Sequence, residues 1–112
     1  MNWDKDLMIK IDFENILYAE LSKRKLLFHL ANGTTIESTT IRTSFSEAVQ
    51  TLLRDHRFIL CGVSIVANLQ HITMVNHNSL LFKDTYQVYL PQKSCREVRS
   101  VWYDYWFKEG DL

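Results

Sequence analysis

Glycine occurs three times and proline once in these 112 residues, which leaves little material for a linker and points to one domain over residues 1–112. The glycines are scattered, so no glycine-rich loop is available to cradle a phosphate. Cysteine is scarce too. Cys61 and Cys95 form no Cys-x-x-Cys pair and read as reduced, packed thiols rather than a disulfide framework. His29, His56, His71 and His77 lack ligand-like spacing, so the expectation is no metal and no cofactor. Cys61 with His56 reads better as a strand thiol beside a helix-end imidazole than as a nucleophile and its base, and no enzyme is expected. The longest apolar runs, such as Phe58–Val63, fall well short of the ~20 residues a membrane helix needs. The opening Met-Asn-Trp-Asp-Lys-Asp lacks a basic segment followed by an apolar one, so we expect no signal peptide, no membrane partner and a cytoplasmic location. An excess of one charge is also missing: 13 basic residues balance 13 acidic ones. That balance argues against a nonspecific nucleic-acid coat, because phosphate affinity rests on Lys and Arg. It leaves room for a module whose positive charge is gathered on one face.

What is present is ordinary globular composition, 46% hydrophobic and 23% charged, with the charges unevenly spread. Lys23, Arg24 and Lys25 form one basic cluster; Lys93, Arg96 and Arg99 form another. Acids collect at Asp4–Asp6, Asp12–Glu14 and from Asp104 to Asp111. A basic hairpin tip can hold phosphate, or it can simply keep edge strands soluble.

Short alternating and β-branched runs dominate the chain. Met8–Ile11 reads as a weak strand and Asp12–Glu14 as a turn, followed by strands at Ile16–Leu21 and Lys25–Leu30 with Ser22–Arg24 as their hairpin tip. In the second strand Leu26, Phe28 and Leu30 share one face, with Leu27 and His29 on the other. Asn32-Gly33 is a hairpin signal leading to a strand at Thr34–Thr39. Ser44 and Glu47 form an S-x-x-E capping box, and Phe45, Ala48, Leu52 and Leu53 continue at helical spacing, predicting one amphipathic helix over 45–55. Further strands are expected at Phe58–Leu60, Ser64–Ala67, Ile72–Val75, Ser79–Phe82 and Tyr86–Leu90, with turns at His77-Asn78 and Lys83–Thr85. Pro91 ends the last strand, and Val98, Val101, Trp102 and Tyr105 recur at helical spacing, predicting a terminal helix from Ser94 to about Phe107. Trp102, Tyr105 and Trp106 fall on one face of that helix, as core or as a contact for a second copy or partner domain. The fold class is mainly β: about ten short strands in antiparallel sheets, with a small internal helix and a C-terminal helix.

The richest stretch is Phe58–Ile72, two apolar half-runs hinged at Gly62 and closed by Asn68. An interior glycine suggests a bulge or a close backbone approach, and Asn68 can end the strand and brace the loop at Ser64. Its pattern, F-x-x-x-x-x-S-x-x-x-N-L-x-x-I, follows Ile11–Glu20 and the capped helix, and Leu80–Asp84 and Tyr86–Pro91 come after it. In that order and spacing, the segments resemble the LytTR family of bacterial DNA-binding domains over residues 8 to about 100. Ile11–Glu20 is similar to the family's I-x-x-x-D-I-L-Y-I-E with Asn15 in place of its Asp, and Ser64–Ile72 to S-x-x-V-N-L-x-x-I.

The resemblance implies about ten strands in stacked antiparallel sheets and a transcription regulator of the response-regulator type. Loops rather than a recognition helix would enter successive major grooves of double-stranded DNA. Carried over by position, those loops are Lys23, Arg24 and Lys25; then Gly62, Val63 and Ser64; then Lys93 and Ser94, with Arg96 one turn along. The family commonly has His-Arg-Ser where this chain has Gly62-Val63-Ser64, so the second loop offers only amides, one hydroxyl and apolar contact, as to a thymine methyl. The Arg that follows Ser in the family's third loop is also missing, leaving Lys93 or Arg96 as substitutes. The resemblance further implies a homodimer on repeated half-sites, and switching by a partner regulator or receiver domain, since no receiver fits within this length. The alternative is a protein–protein interaction module of the same fold, with reduced or lost DNA readout, pairing through the aromatic C-terminal helix.

Overall fold

The structure, a computed structural model, describes residues 10–83 and 86–108. A 3₁₀ turn at Phe13–Asn15 leads into β1 (Ile16–Ser22), β2 (Lys25–Leu30) and β3 (Thr35–Thr40). Two four-residue helices follow, α1 (Phe45–Ala48) and α2 (Gln50–Leu53), then β4 (Phe58–Cys61) and β5 (Ile65–Asn68). A second 3₁₀ turn, Leu69–His71, opens onto β6 (Ile72–Val75), β7 (Ser79–Phe82) and β8 (Tyr86–Tyr89), and the long helix α3 spans Gln92–Lys108. The strands form a five-stranded sheet in the order β3-β2-β1-β5-β4 and a three-stranded sheet in the order β6-β7-β8, with every pairing antiparallel. The mainly β class holds, with eight strands among the described residues rather than about ten. The strand expected at Met8–Ile11 lies partly outside the described residues, and Lys10 and Ile11 are not in a strand. Of the turn expected at Lys83–Thr85, only Lys83 is described.

Two cores explain the layering. Ile16, Ala19, Leu26, Leu30, Phe58 and Val66 face Phe45, Val49 and Leu52 of the short helices. On the other side, Leu17, Cys61 and Ala67 meet Leu80, Phe82 and Val88 of the small sheet, with Cys95 and Val98 of α3. The five-stranded sheet is therefore covered on both faces, and its central β1 is apolar almost without alternation. A bulge between Ile16 and Tyr18 sends Tyr18 to the second core, where its ring stacks on Phe82 at 5.2 Å and on His29 at 4.4 Å. His29 Nε2 donates to Glu20 Oε2 at 2.6 Å, so a polar pair backs the stack where the sheets meet.

The Asn32-Gly33 hairpin forms as expected: Gly33 has φ +90° and the Thr34 amide donates to Asn32 Oδ1 at 2.9 Å. So does the capping box, with the Glu47 amide donating to Ser44 Oγ and the Ser44 amide to Glu47 Oε1. The single helix over 45–55 does not. Val49, at φ −104° and ψ +15°, interrupts it while its side chain stays buried in the core. Two further expectations are corrected. Gly62 is neither a bulge nor a close approach: it sits at φ +69° in the tight β4–β5 turn, and nothing lies within 4 Å of where its Cβ would be. Asn68 does close β5, but it lies at the end away from Ser64 and cannot brace that loop. Finally, α3 starts two residues earlier than expected, so Lys93 and Ser94 are helical.

Candidate nucleic-acid interface

The pairing of β1 with both β2 and β5 decides what lies at one end of the large sheet. Ser22 faces Lys25 across the β1–β2 hairpin, which leaves Lys23 and Arg24 as its two-residue turn. Both have positive φ, +52° and +66°, as a type I′ turn requires, although neither is the Asn or Gly that usually occupies it. On the other edge of β1, Glu20 faces Ile65 and the Leu21 amide donates to the Ser64 carbonyl at 2.9 Å. The Gly62-Val63 turn therefore stands beside the Lys23-Arg24 turn. Val63 is 85% exposed, with no neighbour burying it.

The same end receives the exit of β3. Lys25 faces Thr40, and the Ile41 amide donates to the Arg24 carbonyl at 2.7 Å, so Arg42 and Thr43 run past the tip before Ser44 caps α1. A dimple of about 210 Å³ lies between this segment and the β4–β5 turn, lined by Ser44, Phe45, Ser46, Leu60, Gly62 and Val63.

The first turns of α3 pack beside the end of β4. Burial pushes the Cys61 thiol up to about 12, against a hydrogen bond with Ala67, and Cys95 and Glu97 add to the rise. Further along, the Tyr105 ring lies 5.6 Å from that of His56, which precedes β4. So α3 begins near the tip and runs away from it. Lys93 and Arg96 are exposed on its first turns while Ser94 is half-buried and Cys95 is buried.

Charge at this end is uneven in its availability. Lys25 Nζ lies 3.7 Å from Glu37 Oε1, and its side chain is only 27% exposed. Among the described residues no ion pair ties down Lys23, Arg24 or Arg42, all of them exposed. Arg42 was not singled out from sequence; its signal was a lone cation between a strand and a capped helix, which only the strand order turns into a tip residue. Cys61 and His56 stand at opposite ends of β4, and the thiol is buried, so the nucleophile-and-base reading has no geometry behind it.

A second surface lies away from the tip. Trp102, Tyr103, Trp106 and Phe107 line a groove of about 450 Å³ with Gln70, Ile72 and Thr73. The Tyr103 and Phe107 rings stack at 4.6 Å on its rim. Of the expected helix face, Trp102 and Tyr105 pack against the core while Trp106 is 43% exposed.

No curated protein matches the sequence. Among solved structures, the LytTr DNA-binding domain of a Bacillus cereus methyl-accepting/DNA response regulator is similar to this chain, with a TM-score of 0.66 at 22% identity over 88% of this chain and 91% of that one. At that identity the likeness concerns the fold. The sequence profile of the LytTr DNA-binding domain family matches residues 6–102, most of the chain. With eight antiparallel strands in two sheets, the motif stretch ending in Asn68 and that match together, the chain belongs to the LytTR family of DNA-binding domains.

Proposed function

We propose that this domain binds double-stranded DNA sequence-specifically as a cytoplasmic bacterial transcription regulator. Its turns enter successive major grooves, and no catalysis is involved. One observation carries the reading: the β1–β2 turn, the β4–β5 turn and the start of α3 bring to one end of a chain with no net charge bare turn backbone and basic side chains that have no ion pair among the described residues. Lys23 and Arg24 hold phosphates or read a groove edge, as Lys93 and Arg96 do from α3, with Ser94 beside them. Gly62, Val63 and Ser64 meet bases through amides, a hydroxyl and an apolar tip that suits a thymine methyl. The domain acts as a homodimer on repeated half-sites and answers to a receiver domain or partner regulator.

The test is a salt series on a duplex enriched from a random pool. Replacing Arg24 or Lys93 by Ala should flatten the slope of log K against log salt by roughly 0.9 each. Failure of any duplex to enrich would remove the proposal. The second reading, an interaction module without base readout, is favoured by the aromatic groove on α3, an apolar surface facing away from the tip. Pool selection separates the two, because only the first yields an enriched motif.

A further inference from the structure

We propose that Arg42, and not Lys25, completes the phosphate-binding rim of the tip. The proposal rests on the DNA-binding reading and changes which residues carry it. The contiguous triplet Lys23-Arg24-Lys25 suggests that three neighbouring cations act together, but the β2–β3 register separates them. Lys25 belongs to a strand and is compensated by Glu37 at 3.7 Å, on side chains 27% and 39% exposed. Engaging a phosphate would mean giving up that pair.

Arg42 is held in the opposite situation. The bond from the Ile41 amide to the Arg24 carbonyl, 2.7 Å, fixes the backbone one residue away against the turn. Half-buried Ile41 packs into the core under α1, anchoring the segment, while Arg42 is exposed. The acid nearest in that segment, Glu47, is turned back onto the Ser44 amide and hydroxyl at 3.4 and 3.1 Å. Arg42 thus comes to the same end of the sheet as Lys23 and Arg24, two residues before Ser44, which with Ser46, Leu60, Gly62 and Val63 lines the shallow dimple there. Exposed cations from two segments at one end of the sheet suit phosphodiester contacts that position a duplex against the neighbouring β4–β5 turn. An arginine guanidinium fits a phosphate bidentately, which gives the rim position as well as charge.

The experiment compares wild type, Arg42→Ala, Arg42→Lys and Lys25→Ala on the enriched duplex across a salt series. Thermal midpoints are measured alongside to confirm folding. Arg42→Ala should flatten the slope by roughly 0.9 and weaken binding on the order of five- to tenfold near 0.1 M salt. Arg42→Lys should keep the slope, and Lys25→Ala should leave it unchanged even where it lowers the midpoint. A steep wild-type slope that Arg42→Ala leaves intact, or that Lys25→Ala flattens equally, overturns the assignment while sparing the DNA-binding reading. Absence of duplex binding by the wild type overturns that reading, and the assignment with it.

Discussion

Asn68 has no exposed surface, yet both ends of its amide are used: Nδ2 donates to the Ile16 carbonyl and Oδ1 accepts the Gln70 amide, each at 2.9 Å. One side chain thus joins the start of β1 to the end of β5 and turns the chain into the 3₁₀ segment before β6. Asn68→Ala would strand the buried Ile16 carbonyl and free the partly buried Gln70 amide, so unfolding stability should fall by about 1–3 kcal/mol, read from the urea midpoint. The sequence marks Asn68 as a strand stop but is silent on its long-range partner, because that partner depends on β1 and β5 being neighbours. Asp55 is the contrasting case, its electrostatics set by a partner two residues along the chain. The Arg57 side chain hydrogen-bonds both of its oxygens, at 3.0 and 2.8 Å, and holds the carboxyl down to about 2. A depressed folded-state value means the stabilisation is present above about pH 4, the unfolded range, and is lost as pH falls toward 2. After allowance for partial exposure, it is worth about 1 kcal/mol. Asp55→Asn should therefore lower stability at pH 7 by that amount and flatten the pH dependence between 4 and 2, measured as urea midpoints in a pH series.

Among the elements, the β1–β2 turn holds two adjacent residues that disagree with its conformation. Lys23 and Arg24 both occupy the left-handed region, where Asn-Gly would be at ease. Replacing the pair by Asn-Gly should raise stability by about 1 kcal/mol while weakening duplex binding, a split that thermal melting and a binding titration resolve together. Such a split would identify the turn as chosen for charge over backbone comfort. Local signals of this kind were readable in advance: the Asn32-Gly33 hairpin, the Ser44–Glu47 box and the bounds of Ile72–Val75 and Ser79–Phe82 all follow from neighbouring residues. The break at Val49 was not, because its helical spacing is sound and the sheet beneath decides the backbone there. The expected extent of α3 is short at its start by two residues, Gln92 and Lys93.

At the scale of the molecule, neutrality conceals an uneven pairing of charge. Among the described residues, Lys23, Arg24 and Arg42 gather without ion pairs where the large sheet turns over, while at the other end of β1 and β4 Asp12 and Asp55 are matched by Lys10 and Arg57. Composition could not show this, since it depends on strand order, and strand order joins residues as distant as Ala19 and Val66. The family was legible from motifs spread along the chain, and the class of fold with it; that Arg42 comes to the same end as Lys23 and Arg24 was not, because it depends on the β2–β3 pairing. The open space around Gly62 bears on how such a domain changes over generations. A side chain added there meets only solvent, and its cost is confined to the backbone preference at one turn. On the DNA-binding reading, exposed Val63 could change its chemistry without disturbing either core, while any side chain at 62 would carry the strain of its positive φ, so target preference would diverge mainly through residue 63 with the scaffold kept.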